Sequence, residues 1–84
     1  MQEKQIGKIT HYFSRINVGI IELSDSIKVG ERIHIKGHSE DFEQTIDSMQ
    51  IEHACVTEAN AGESVGISVS KKVHENDAVY KILP

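Results

Sequence analysis

The 84 residues have volume for one core, so a single domain over 1–84 is expected and two domains are excluded. The hydrophobic fraction is 38% with two Phe, two Tyr and no Trp, which leaves the core to Ile and Val, residues that favour strands. Nine Lys and Arg against 13 Asp and Glu give a net charge of −4, which weighs against strong non-specific binding to a phosphate backbone and leaves only a local basic patch.

In chain order, Ile6 to Phe13 (IGKITHYF) reads as a first strand, with Gly7 marking a bulge or a close backbone approach. A short loop over Ser14 to Asn17 leads to a second strand, Val18 to Leu23 (VGIIEL), whose parity is mixed. Val18 and Ile20 share one face, Ile21 and Leu23 the other. After the polar turn Ser24–Asp25–Ser26 comes IKVGERIHIKG, Ile27 to Gly37. Its glycines, Gly30 and Gly37, are expected at reversals that need positive φ. Within it Ile33 and Ile35 face one way while Arg32, His34 and Lys36 face the other.

Phe42 to His53 (FEQTIDSMQIEH) reads as one long strand whose apolar parity switches, so a bulge near Asp47 and Ser48 is expected. Ile51, Ala54, Cys55 and Ala59 recur at helical spacing, which allows one helical turn between His53 and Ala59. Ser64 to Val69 alternates cleanly, Asn76–Asp77 makes a turn, and Ala78 to Leu83 closes the domain. Short strands separated by turns predict an all-β, small closed antiparallel barrel of about six to seven strands. Its core is expected from Ile9, Ile20, Ile33, Ile35, Ile46, Ile51, Val65, Ile67, Val69 and Val79.

The chemistry-bearing residues are fewer. Arg32, His34 and Lys36, extended by Lys28, could track phosphates along a strand, and Lys71 and Lys72 beside His74 form a second basic cluster. The plainer account is a solvated charged face, with Glu43 and Asp47 of the next strand as partners. The five histidines, His11, His34, His38, His53 and His74, offer only the close spacings His34 with His38 and His53 with Cys55. Neither has a third ligand in view, so no metal and no cofactor is expected. Cys55 with His53 as base lacks an orienting third group, which makes Cys55 a small buried hydrophobe and the chain a non-catalytic binding module. No GxxxxGK[ST] loop is present and the six glycines read as turn glycines, so no nucleotide is bound. The single cysteine, the lack of an apolar run near ~18 residues and the polar opening MQEKQIGK lead to the expectation of a reducing, cytoplasmic setting without membrane contact.

Taken together, IGKITHYF, VGIIELSDSIKVGERIHIKG, TIDSMQIEH, EANAGESVGISV and NDAVYKIL resemble the β-barrel second domain of EF-Tu-type translational GTPases. The matching positions are Ile27, Val29, Gly30, Glu31, Ile33, Ile35 and Gly37, then Ala61, Gly62, Glu63, Val65 and Gly66; Asn76–Asp77 stands where that family commonly has Gly-Asp. The resemblance implies a free-standing, translation elongation factor-like protein that contacts tRNA, rRNA or a ribonucleoprotein, and it transfers no catalytic residue. The alternative is a protein-only interaction module. The C-terminal barrel of collagenase-like peptidases is a similar fold, so that module could be an accessory to such an enzyme.

Overall fold

β-branched residues dominate the apolar positions, and the computed structural model, which describes residues 2–52 and 54–83, places them in strands. Among the described residues there is no helix. The strands are β1 (Gln2–Phe13), β2 (Val18–Leu23), β3 (Ile27–Lys28), β4 (Arg32–Lys36), β5 (Asp41–Thr45), β6 (Met49–Ile51), β7 (Ala54–Val56), β8 (Glu58–Ala59), β9 (Ser64–Ser68) and β10 (Ala78–Leu83). Eight of them form one sheet in the order β5-β4-β10-β1-β2-β9-β6-β7, and β3 pairs with β8 in a separate ribbon.

β1 is the longest strand and the most irregular. Its register slips against β10 between Gln5 and Gly7, and against β2 between Ile9 and His11. The first slip lets Ile6 and Ile9, which differ in parity, both point inward and become fully buried. Gly7 answers to close approach, because a Cβ there would lie 2.5 Å from the Glu22 carbonyl oxygen and 2.8 Å from Ile21 Cγ2. β2 resolves its mixed parity without a bulge. Gly19, Ile21 and Leu23 are buried, while Val18 and Ile20 lie half-buried on the other face.

The long fourth strand expected over Phe42 to His53 is two strands with different partners. β5 pairs with β4, and after a break at residues 46–48, β6 pairs with β9 and β7. The parity switch marks a crossing from one end of the sheet to the other rather than a bulge. The segment expected as a helical turn is extended, because β7 pairs with β6 and β8 with β3.

The expected closed barrel is also corrected. β5 and β7 end the sheet, and no backbone ladder joins them among the described residues. The sheet's curl is held by a side chain instead. The Gln44 amide of β5 donates to Ser68 O at 2.8 Å and accepts from Ser70 N at 2.8 Å, reaching the chain where it leaves β9. The β3–β8 ribbon is tied in by Val29 N to Thr57 O, Gly30 N to Ile46 O and Ile46 N to Glu31 O, each 2.9 Å. Gly30 has φ 95° and Gly62 φ 89°, as their turns require, and Asn76 takes the same region at φ 73°.

One aliphatic core fills the curl. Ile9, Ile33, Ile35, Ile46, Val65, Ile67, Val69 and Val79 are buried as expected, whereas Ile20 and Ile51 are only half-buried. Ile6, Ile21, Leu23, Ile27, Phe42, Met49, Ala59 and Val73 complete it. Removal of each large side chain from water contributes about 1.5–3 kcal/mol.

Candidate functional site

The basic stripe lies on β4, an interior strand between β5 and β10, and acids reach it from β5 and, across β10, from β1. His34 stands opposite Glu43 and Lys36 opposite Asp41. Arg32 Nε donates to Glu43 Oε1 at 3.2 Å, and His34 Nδ1 lies 2.8 Å from Glu3 Oε2 while its Nε2 bonds Asp41. The partner expected at Asp47 is not among these contacts, because residue 47 falls in the break after β5. Lys28 is exposed on β3, in the other sheet. Arg32, His34 and Lys36 thus form one row of a lattice of alternating charges.

Held between two carboxylates, the His34 imidazole titrates above its ordinary 6.5. The hydrogen bond to Asp41 raises it most, partial burial opposes this, and Glu3 adds to the rise. The folded state therefore favours the imidazolium. Its contribution to stability is complete below the unfolded value near 6.5 and is lost as pH rises through the higher folded value. We expect an NMR titration of the His34 ring to give a midpoint above 6.5, and Asp41→Asn to return it toward that value. An unchanged midpoint in the variant would assign the rise to something other than this bond.

Lys71 and Lys72 are exposed and line a shallow depression with Glu40, Asp41 and Phe42, Lys71 Nζ standing 5.7 Å over the Phe42 ring. Cys55 is exposed on the edge strand β7 rather than buried, and its expected partner His53 lies outside the described residues.

Two features were not read from the sequence. The first is an apolar patch on the outer face of β2 and β9. Phe13 is 44% and Ile16 64% exposed at the tip of the β1–β2 hairpin. They border a depression lined by Val18, Ile20 and Gly66, where a Cβ on Gly66 would crowd Val18 Cγ1 at 3.2 Å and Ile20 Cδ1 at 3.3 Å. Apolar residues flanking Ser14–Arg15 at a hairpin tip were the available signal.

The second is a cluster joining the β4–β5 and β9–β10 connections. His74 Nδ1 lies 2.7 Å from Glu40 Oε1, and His74 N donates to Asp77 Oδ2 at 2.9 Å. Glu40 and Asp77 are buried, at 9% and 3% exposure, and their carboxyl groups share a hydrogen bond. Burial first, then Glu40, pushes Asp77 above the ordinary carboxyl range, while the bonds from Asp77 and His74 hold Glu40 below it. Gly37 makes room for this, since a Cβ there would overlap Asp77 Oδ1. Gly37 is therefore a glycine of close approach, not the positive-φ reversal expected. Likewise Gly7, Gly19 and Gly66 lie within strands and are not turn glycines. Residue 40 is remote in sequence from residues 74 and 77, and no strand periodicity brings the three together.

A curled, unclosed sheet of this topology is the fold of a peptidase's C-terminal domain. Over 95% of this chain and 93% of the other, it superposes with a TM-score of 0.89 on the C-terminal domain of a Geobacillus thermoleovorans putative U32 peptidase, at 16% identity. The selenomethionine variant of that domain gives 0.86 at 15% identity, over 90% of this chain and 96% of the other. In sequence, the chain is 36% identical over 77 residues to an uncharacterized protease of Methanocaldococcus jannaschii, a match covering 90% of this chain and 19% of that protein. The chain therefore spans about a fifth of the curated relative it matches. No protein-family profile matches.

These findings overturn the resemblance to the EF-Tu second domain, and with it the translation elongation factor-like reading. The motifs behind it report turn geometry, since Val29–Gly30–Glu31 and Ala61–Gly62–Glu63 each centre on a positive-φ glycine that any fold with such a turn requires. No helix among the described residues is long and apolar enough to cross a membrane.

Proposed function

We propose that this chain is a non-catalytic interaction domain of a U32-type peptidase system, docking on the larger peptidase body through the patch formed by Phe13, Ile16, Val18 and Ile20. The observation that carries the reading is the match of 90% of this chain to 19% of a protease, a domain-sized share of a much longer protein. The likeness to a peptidase's C-terminal domain supports the same role. The patch supports the location, because apolar side chains left in water at a hairpin tip gain by being covered, and a small number of such anchors carries most of an interface's affinity.

The test is affinity capture with the tagged chain from its native lysate, followed by protein identification. A U32-type peptidase should be enriched and should remain at high salt, because an apolar contact is not screened. Phe13→Ser with Ile16→Ser should reduce its recovery at least tenfold. Absence of a peptidase from the eluate overturns the role, and undiminished recovery by the double variant overturns the docking surface.

A further inference from the structure

We propose that Glu40, His74 and Asp77 form a divalent-cation site suited to Zn2+, stapling the β4–β5 connection to the β9–β10 connection. Each residue offers one donor atom, and these all lie within 4.8 Å of one another. Zinc with an imidazole nitrogen and carboxylate oxygens at its usual bond lengths holds its donors about 3.4 Å apart, so the His74 Nδ1–Glu40 Oε1 pair, now 2.7 Å, must open and the wider spacings must close, both by side-chain rotation. The set mixes one nitrogen with oxygens, which suits zinc better than calcium or magnesium, whose sites are built from oxygen.

The ligands are positioned by their own backbone. Glu40 O accepts from Gly37 N at 2.7 Å. Asp77 is fixed by Ile9 N donating to its carbonyl at 2.8 Å and by Asn76 N donating to Ile9 O at 2.7 Å. Asp77 Oδ2 is engaged by His74 N at 2.9 Å, which leaves Oδ1, packed over Gly37, as the oxygen to give. The electrostatics point the same way. Two carboxyl groups less than a tenth exposed sit side by side, and His74 is the one basic side chain bonded to them among the described residues. Without an ion the two carboxyl groups share a hydrogen bond, and a divalent ion at the point of convergence displaces that proton and supplies the positive charge instead. Entry is open, because the His74 side chain is 53% exposed and borders a depression with His11 and Glu75. Three protein donors leave a fourth position for water or another ligand.

The experiment is isothermal titration of the chelator-stripped protein with ZnCl2, paired with thermal melts. We expect one equivalent of Zn2+ to bind with a Kd near 1 μM, and the melting midpoint to rise by about 14 °C at 100 μM Zn2+. His74→Ala removes an exposed side chain and opens no cavity in the core, and its own melt in the absence of zinc checks that the domain stays folded. Together with the isosteric Glu40→Gln it should weaken binding at least tenfold, whereas Cys55→Ser and His34→Gln should leave it unchanged. Failure to bind one equivalent below 100 μM overturns the proposal. Binding that survives His74→Ala and Glu40→Gln but is lost with Cys55→Ser or His34→Gln overturns it as well.

Discussion

Gly37→Ala is expected to lower stability by about 3 kcal/mol, a fall in melting midpoint of about 15 °C for a domain of this size. The added Cβ would occupy the position of Asp77 Oδ1, so the methyl and the carboxyl cannot coexist without movement. Neither neighbour gives easily. Gly37 N is committed to Glu40 O, and Asp77 is bonded through its main chain to Ile9 and through its carboxyl to His74 N. Thermal melts of a double-mutant cycle separate this clash from any backbone preference. In an Asp77→Ala background, where the obstructing carboxyl carbon and oxygens are all gone, the same alanine should cost less than about 1 kcal/mol. Equal costs in the two backgrounds would mean that Gly37 is required for some reason other than Asp77.

Ile21→Ala should destabilise by about 3 kcal/mol, within the range for truncating an aliphatic side chain in a packed interior. Ile20→Ala, one residue earlier, should cost less than about 1.5 kcal/mol. The two residues have the same chemistry and stand on the same strand, but Ile21 has no exposure and Ile20 is half-buried on the outer face. Urea unfolding of both variants reads the difference directly, as a shift in midpoint with little change in slope. A larger loss at Ile20 would mean that β2 is paired one residue out of register, because a single-residue slip exchanges the faces of a strand.

That comparison also marks where the sequence was legible. Apolar runs bounded by polar turns placed Val18–Leu23 and Ala78–Leu83 at the bounds they have in the fold, and the turn glycines Gly30 and Gly62 and the left-handed Asn76 were readable from residue type. Which face of β2 is buried was not, because VGIIEL carries apolar residues of both parities and the choice is made by Gly66 and β9. The break between β5 and β6 was visible as a parity switch, but a switch reads the same whether a strand bulges or leaves its sheet. Closure was misjudged for a related reason. Strand patterns report which residues face inward, not whether the last strand meets the first, and here the Gln44 amide ties the end strand β5 to the exit of β9, not to β7. Of the candidate site, the basic residues were found and the acids that neutralise them only in part, since Glu3 reaches His34 from a distant strand. Glu40, His74 and Asp77 were invisible as a group because connections, not strands, assemble them.

The pairing of β1 with β10 sets Gln2 opposite Leu83 and Glu3 opposite Ile82, within the interior of the sheet. Facing Cα atoms in such a ladder are about 5 Å apart. The polypeptide thus enters and leaves this fold at one spot and in opposite directions, like the two strands of a loop drawn out from a host. A few residues would join position 83 to position 2 and allow new ends to be cut in a surface turn. By the same geometry, the whole fold could be spliced into a hairpin of another protein without pushing that hairpin's strands apart. A fold with paired ends is portable, because its attachment constrains neither its own core nor the body that carries it.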